Sequence, residues 1–276
     1  MNNVVVRSIS GVVFILAMLA CLMFNKFLFA GLIIFIMSVM LLEFYHITMG
    51  NSYTFSKVLA IIAAIFLFGL LFATASYHIP IRFVAFAMVP IFIEMINSLY
   101  VKDKDEYGKF SNIYTGLLYI AVPIALSNLI AFDKAGNFSG NLLLCFFIII
   151  WCSDVGAFAF GISLGKIFPQ KLFPSVSPKK TWIGFIGGLV SSVLAAFALY
   201  EFGILKFPLI HCLILSFIMS VTGVYGDLFE SQWKRVYGVK DSGKIIPGHG
   251  GFLDRFDSTL MAMPFGAIYL AIFDLL

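Results

Sequence analysis

Long apolar runs separated by short polar segments dominate the chain. A helix needs about 20 mainly apolar residues to cross a hydrocarbon core of roughly 30 Å, so runs of this kind predict membrane helices. The predicted spans are residues 8–24, 27–47, 58–77, 83–101, 110–132, 141–163, 182–202, 209–228 and 259–276. The pattern therefore predicts an all-α, polytopic integral membrane protein with about nine transmembrane helices.

Composition agrees with this interpretation and excludes a soluble protein. Of the 276 residues, 61% are hydrophobic and only 12% are charged, and the mean hydropathy is +1.02. So few polar side chains cannot cover a water-soluble core. We expect a single membrane domain, residues 1–276, in which residues 1–140 are mainly scaffold and residues 141–276 carry the functional helices and loops.

Basic residues divide unequally between the two sides of the membrane. If the nine spans alternate in direction, one side receives 14 of the 18 Lys and Arg residues. Positive charge is retained on the cytoplasmic side. We therefore predict a multi-pass protein of the cell membrane with its N-terminus inside, its C-terminus outside and its functional loops in the cytoplasm. Such a basic face attracts lipid headgroups or nucleotide phosphates.

Acidic residues also occur within predicted spans. Four of them, Glu43, Glu94, Asp154 and Asp227, each lie in the second half of an even-numbered span. Acids at membrane depth usually face protein or a water-filled cavity, because a carboxylate in lipid is costly. Their positions predict a polar cavity that opens to the cytoplasm. For Glu43 and Glu94, a local pairing remains an equal alternative.

The first long polar loop precedes span 7. Its sequence predicts a helix capped by Ser177 that begins at Pro178, a residue suited to the first helical position. Lys179, Lys180 and Thr181 would then occupy the first turn, where free amides favour an anion. Two lysines there are best explained by a bound phosphate, although positive-inside anchoring stays open.

The second long loop, residues 226–258, contains a glycine-rich turn between two groups of carboxylates. Asp227 and Ser231 would share a helical face, as would Asp254 and Asp257. The turn Pro247–Gly251 leaves amides free to contact an anion. Carboxylate oxygens beside phosphate ligands suit Mg²⁺. The residues thus predict a metal and phosphate site at the membrane surface, of the kind that phosphoryl or nucleotidyl transfer uses.

Several of these motifs resemble those of one known family. They are Ser231-Gln232-Trp233-Lys234-Arg235, Lys240-Asp241, Pro247-Gly248-His249-Gly250-Gly251, Asp254-Arg255-Phe256-Asp257, Ser177-Pro178-Lys179-Lys180-Thr181-Trp182, and Ser153-Asp154 with Gly156-Ala157. Together they resemble the signature of the phosphatidate cytidylyltransferase (CDP-diacylglycerol synthase) family over roughly residues 150–260. Three positions differ from its usual pattern: Trp233 stands where a smaller aliphatic, Met or Phe side chain is usual, Ile162 where a basic residue is usual, and Ile183 where Glu or Gln is usual. The segment Leu164–Leu172, which follows Ile162, is also longer than usual.

The resemblance implies a Mg²⁺-dependent reaction of CTP with phosphatidic acid that gives CDP-diacylglycerol and pyrophosphate. It leaves open a second, monovalent or divalent, cation and a homodimer, and it implies no nucleic-acid partner. The implied catalytic residues are Asp227, Asp254, Asp257, Lys234, Arg235 and His249, of which the three aspartates are the implied metal ligands. The implied substrate-binding residues are Asp154, Ser177, Lys179, Lys180, Thr181, Ser231, Lys240, Asp241, Gly250, Gly251 and Arg255.

Two other functions fit the residues less fully. One is CTP-dependent transfer to another lipid, such as an isoprenoid ether phosphate or a polyprenol. The other is proton-coupled transport, because transporters also carry intramembrane acids. Transport predicts access from both faces, whereas the charged loops here are predicted on one side only.

Overall fold

The computed structural model describes residues 3–101, 107–248 and 250–276, and side chains from residue 10 onward. Within these ranges nearly all regular structure is helical. The α-helices are α1 (Asn3–Phe24), α2 (Lys26–Met49), α3 (Thr54–Tyr77), α4 (Met88–Ser98), α5 (Ser111–Gly116), α6 (Val122–Ala131), α7 (Asn141–Ser163), α8 (Trp182–Glu201), α9 (Leu209–Val236) and α10 (Leu253–Ile272). Short 3₁₀ segments, Ile81–Ala87 and Tyr107–Phe110, precede α4 and α5, and the π-helical segment Leu117–Ala121 joins α5 to α6.

Helices lie over all nine predicted spans. In the described residues, seven helical segments are long and apolar enough to cross a membrane: Lys26–Met49, Thr54–Tyr77, Ile81–Ser98, Tyr107–Ala131, Asn141–Ser163, Trp182–Glu201 and Leu209–Val236. The other two predicted spans correspond to α1, whose shorter apolar part is Ser10–Phe24, and to α10, which has charged residues near its start. The protein is therefore a helical, multi-pass membrane protein, as the hydropathy pattern predicts.

The only regular strands in the described residues form one small hairpin. Strand β1 (Lys171–Phe173) pairs antiparallel with β2 (Ser177–Thr181), and Lys171 lies opposite Thr181. Large apolar side chains are exposed on the helices, for example Leu118 at 72% and Leu194 at 61%. Exposure on this scale is expected of surfaces whose solvent is lipid.

The chain forms two compact units. The first, unit 1, comprises residues 1–139 and 241–255. Its core includes Phe29, whose ring centroid lies 6.2 Å from that of Phe68 and 5.4 Å from that of Phe138. The buried Asn128 side chain donates a hydrogen bond to the Phe68 carbonyl oxygen at 3.4 Å. Helices α1 to α6 and the glycine-rich loop belong to this unit.

The second unit, unit 2, comprises residues 140–240 and 256–276. It contains α7, the hairpin, α8, α9 and most of α10. Glycines bring α7 and α8 together: a Cβ atom at Gly188 would lie 2.8 Å from the Ser153 carbonyl oxygen, and one at Gly187 would overlap the Phe160 ring. These glycines therefore have a packing role, because only a hydrogen atom fits where the helices touch.

Candidate active site

The hairpin ahead of α8 corrects one prediction. The helix begins at Trp182 and its cap is Thr181, whose hydroxyl accepts a hydrogen bond from the Gly184 amide at 3.2 Å. The predicted cap at Ser177 and helix start at Pro178 were wrong. Both Ser and Thr can cap a helix, but residues 177–181 pair with β1 instead, and this keeps the two lysines out of the positive first turn.

Pairing in the hairpin places one lysine beside an acid of α9. The Lys180 ammonium nitrogen lies 2.7 Å from Asp227 Oδ2, with the two side chains 27% and 30% exposed. The Phe173 ring makes an edge contact with Tyr225, with 6.3 Å between centroids, which holds β1 against α9. On the other side of Asp227, the Ser231 hydroxyl donates to Oδ1 at 3.2 Å. The predicted shared face of Asp227 and Ser231 is therefore confirmed.

A cavity of about 540 Å³ opens beside this ion pair within unit 2. Its polar lining is Asp154, Lys179, Lys180, Thr181 and Asp227. Its other lining residues are apolar or glycine: Ala157, Phe158, Gly161, Ile162, Leu172, Gly184, Phe185 and Val224. A pocket lined by both lysines and carboxylates and by many apolar side chains suits an amphiphile with a charged head, such as a lipid phosphate.

Four carboxylates of unit 2 interact electrostatically. Asp257 interacts electrostatically with Asp227, Glu230 and Asp154. Gly226 allows this approach, because a Cβ atom there would meet the Asp257 carbonyl oxygen at 2.5 Å. Two of the four acids have lysine partners, Asp227 with Lys180 and Glu230 with Lys234, and these cations offset part of the repulsion between the acids.

Glu230 is the member of this group that the sequence motifs did not single out. It is 1% exposed, and its carboxylate pairs with the Lys234 ammonium nitrogen at 2.5 Å, one helical turn away. Its spacing of three residues from Asp227 and four from Lys234 was the available signal, since both spacings place side chains on one helical face. Lys234, predicted to neutralise phosphate, thus has an acidic partner within its own helix.

In unit 1 the glycine-rich loop is bound by two further carboxylates. Asp254 accepts hydrogen bonds from the amides of Ser242, at 2.9 and 3.1 Å, and Gly251, at 2.8 Å. Glu43 of α2 accepts from the amides of Phe252 and Leu253, at 3.1 and 2.9 Å. Amides at this helix start, which a phosphate would otherwise contact, therefore already donate to carboxylates of the protein.

The remaining predicted site residues occupy varied positions. Exposed residues are Arg235, Lys240, Asp241 and Arg255, with an Arg235 Nη1 hydrogen bond to the Val239 carbonyl oxygen at 3.4 Å. Ser177 lies at the start of β2 and is half-buried. Gly250 has a φ of 86° and accepts a bond from the Ile246 amide at 3.0 Å. His249 lies outside the described residues.

The four acids predicted within spans divide between the two units. Asp154 and Asp227 line the cavity of unit 2. Glu94, in unit 1, is 1% exposed and accepts bonds from the Asn97 side chain at 3.3 and 3.5 Å, which is the local pairing left open for it. Glu43 is 6% exposed and pairs with a loop some 200 residues away in sequence.

The carboxylates of unit 2 are the type of donor that a hard divalent cation prefers. In the part of the chain that the structure describes, no three His, Cys, Asp or Glu side chains already form a set that could hold a metal ion. The acids around Asp257 nevertheless offer carboxylate oxygens, the ligands that Mg²⁺ prefers, and Mg²⁺ takes its other ligands from water and substrate phosphates. A few carboxylates without a complete cage are what such an ion requires.

Comparison with known proteins adds a family to this geometry. The chain is 49% identical over 126 residues to a phosphatidate cytidylyltransferase of Bacillus subtilis, an alignment that covers 46% of each chain. Proteins of the same name from Staphylococcus saprophyticus and Staphylococcus aureus are 45% and 46% identical over 124 residues, which is 45% of this chain and 46% of theirs. The chain thus spans about half the length of the curated relatives it matches. The sequence model of the cytidylyltransferase family matches residues 5–273, and the chain therefore belongs to that family.

Proposed function

We propose that the protein is a phosphatidate cytidylyltransferase. An oxygen of the phosphate of phosphatidic acid attacks the α-phosphorus of CTP. The bond between the α-phosphorus and the oxygen that bridges it to the β-phosphorus breaks, and pyrophosphate leaves with that oxygen. The products are CDP-diacylglycerol and pyrophosphate. A phosphate monoester has a second pKa near 6 and is ionised at neutral pH, so the nucleophile needs no strong general base.

The cavity of unit 2 is the observation that carries the proposal. Lys179, Lys180 and Thr181 lie at its polar part, and apolar side chains such as Phe158 and Phe185 line the rest. This lining matches a substrate with a doubly charged head and hydrocarbon tails. The names of the relatives supply the particular lipid.

Positioning and charge neutralisation are the work we assign to the basic residues. Lys179 and Lys180 would contact the phosphates of the two substrates, and Lys234 and Arg235 would neutralise negative charge at the end of α9. In-line transfer between phosphates depends mainly on such placement. We assign His249 a positioning role on the nucleotide side.

Magnesium is the metal we propose, held by Asp227, Asp254 and Asp257 with Asp154 in support. When bound, it would neutralise triphosphate charge and orient the phosphates. A carboxylate has about four acceptor positions, so Asp254 retains capacity for a cation beside the amide bonds that orient it. Asp254→Asn is the test: turnover should require more Mg²⁺, and near-normal turnover at ordinary Mg²⁺ would contradict the ligand role.

We propose that the protein lies in the cell membrane with this site on the cytoplasmic side, which agrees with the 14 to 4 division of basic residues. Cysteines introduced at exposed loop positions should confirm it. A cysteine at Lys244, which is exposed, should react in intact cells only with a membrane-permeant thiol reagent. Reaction with an impermeant reagent would contradict the orientation.

The activity has a direct assay. Purified protein in detergent, given labelled CTP, phosphatidic acid and Mg²⁺, should form a labelled lipid and release an equal amount of pyrophosphate. Folded protein that forms no lipid product from any phospholipid acceptor would contradict the proposal.

Competition between acceptors tests the lipid. Phosphatidic acid should outcompete an isoprenoid ether phosphate and a polyprenol when all are present together. Ile162 lines the cavity at a position where the family usually carries a basic residue. The variant Ile162→Lys restores a basic residue there, and its preference among the lipid acceptors should be compared with that of the wild type. The family assignment gives no support to the transporter alternative.

A further inference from the structure

The carboxylate of Glu43 is the centre around which the glycine-rich loop folds. It lies in α2 and accepts three hydrogen bonds from one loop: from Ser242 Oγ at 3.1 Å, the Phe252 amide at 3.1 Å and the Leu253 amide at 2.9 Å. The side chain is 6% exposed. A buried carboxylate with three donors is strongly bound, because the loss of any donor would leave charge unsatisfied away from water.

Two glycines of the loop are shaped to this carboxylate. A Cβ atom at Gly243 would lie 2.5 Å from Glu43 Oε1 and 2.9 Å from its Cδ. A Cβ atom at Gly251 would collide with both Glu43 oxygens and with Ser242 Oγ. The loop thus approaches Glu43 from two positions that only glycine permits. A side chain that merely filled space would not need such close backbone approach.

Ser242 connects Glu43 to Asp254. Its hydroxyl donates to Glu43, and its amide donates to both oxygens of Asp254. The Gly251 amide, one residue before the Phe252 amide that Glu43 binds, also donates to Asp254. The same short stretch of backbone is therefore held by two carboxylates, and the position of one constrains the orientation of the other.

We propose that Glu43 is a positioning residue: it fixes the two described parts of the loop, residues 241–248 and 250–253, and, through Ser242, orients the carboxylate of Asp254. Its part in catalysis rests on the proposed function, whereas its part in fixing the loop does not. A carboxylate suits this task because all three of its partners are donors. Glutamine would present one oxygen and an NH₂ group that faces other donors.

Hydrogen–deuterium exchange of the loop tests the fixing role without any substrate. In Glu43→Gln the amides bound by the two carboxylates, those of Ser242, Gly251, Phe252 and Leu253, should exchange roughly 10- to 100-fold faster, since a buried hydrogen-bonding group is left unsatisfied. Glu43→Asp keeps the charge and should restore part of the protection. The matched control is Glu94→Gln, which alters another buried acid of unit 1 and should leave the loop unchanged. Unchanged loop exchange in folded Glu43→Gln protein would overturn the proposal.

A second variant approaches the contact from the loop and keeps the carboxylate. Gly243→Ala should raise loop exchange, because its Cβ atom meets Glu43. In the Glu43→Ala background that obstacle is gone, and Gly243→Ala should add less than about twofold to the exchange rate. Full additivity of the two changes would overturn the proposal.

The catalytic arm separates this inference from the proposed function. In Glu43→Gln, kcat should fall roughly 10- to 100-fold, the usual loss when a residue that orients a metal ligand is changed, while KM for phosphatidic acid changes little. Glu43→Asp should recover part of kcat. If wild-type protein forms no CDP-diacylglycerol, the proposed function fails and the exchange data still decide the role of Glu43. Activity that is normal in Glu43→Gln despite faster loop exchange would overturn the catalytic part.

Discussion

Acids of the two units differ in the partners that satisfy them. In unit 2, Asp227 and Glu230 pair with lysine side chains, Lys180 and Lys234. In unit 1, Glu43 and Asp254 accept hydrogen bonds mainly from backbone amides. A lysine side chain can rotate away and be replaced by a metal ion or released to a phosphate, whereas an amide is fixed in the chain. The acids of unit 2 thus have exchangeable partners, whereas those of unit 1 have fixed partners, which we call holding partners.

Removal of the charge from an acid with an exchangeable partner should lower activity most. Asp227→Asn keeps the shape of the side chain but removes the charge that binds Lys180 and the proposed Mg²⁺. We expect kcat to fall roughly 10²- to 10³-fold, the scale seen when a preorganised electrostatic group is lost. Steady-state formation of labelled lipid measures it, and the thermal unfolding midpoint should stay close to that of wild type. An active Asp227→Asn protein would remove this residue from the site.

Removal of the exchangeable cation should have the next largest effect. Lys180→Gln should lower kcat/KM roughly 10- to 100-fold, since bonds to charged groups contribute about 1.5–3 kcal/mol. The same change frees Asp227 from its ammonium partner, so Mn²⁺, used as a spectroscopic probe for Mg²⁺, should bind more tightly without nucleotide. Lys166→Gln is the control and should change neither quantity. Weaker Mn²⁺ binding in Lys180→Gln would contradict the idea of exchange.

Loss of one holding bond should have a smaller effect. Ser242→Ala removes the hydroxyl that donates to Glu43 but keeps the amide that donates to Asp254. Glu43 Oε2 keeps its bond from the Leu253 amide, so the loss is that of one hydrogen bond to a charged group. We expect the free energy of unfolding to fall by about 1.5–3 kcal/mol, with less than about tenfold loss of kcat. Ser192→Ala, at a hydroxyl that donates to the Leu189 carbonyl oxygen in its own helix, is the matched control. Loss of activity as large as in Asp227→Asn would abolish the distinction between the two units.

Loss of an exposed carboxylate that amides bind, that of Asp133, should have the smallest effect on stability and none on activity. Asp133 accepts bonds from the Asn137 amide at 2.8 Å and from its side chain at 3.1 Å, and these bonds lower its pKa below the ordinary 3.8. A lowered pKa stabilises the fold above the ordinary value, and this contribution is lost as pH falls through the folded value. The unfolding midpoint of Asp133→Asn should therefore lie below that of wild type at pH 6 and converge with it in acid. Activity should be unchanged.

Local patterns predicted the helices and much of unit 2. The apolar runs located the spans because burial in lipid depends on composition over about 20 residues. Spacing along one helix placed Ser231 on Asp227 for the same local reason. The wrong cap at Ser177 arose because two capping residues compete, and pairing with β1, which no helical pattern encodes, decided between them.

Long-range pairings were beyond the reach of these patterns. The bond between Glu43 and Ser242 joins residues 199 apart, and hydropathy cannot choose a partner at that separation. The glycines of the loop were predicted to expose amides to a phosphate. The structure instead places the Asp254 carboxylate on the Gly251 amide, and Glu43 on the next two amides, those of Phe252 and Leu253. Sequence indicates that such a turn binds an anion, but only the fold identifies which anion.

The close contact between α7 and α8 sets a dimension of the cavity. At Gly184 a Cβ atom would lie 2.9 Å from the Ala157 carbonyl oxygen and 3.2 Å from Thr181 Oγ1, and both neighbours line the cavity. The width of the cavity thus depends on glycine at position 184, because any other residue would place a Cβ atom between the two helices. A methyl group at position 184 would push α7 and α8 apart and change the width of the cavity without a change in charge. The size of ligand that the cavity admits therefore depends on the spacing of α7 and α8, and not on the acids and lysines proposed to bind the phosphate.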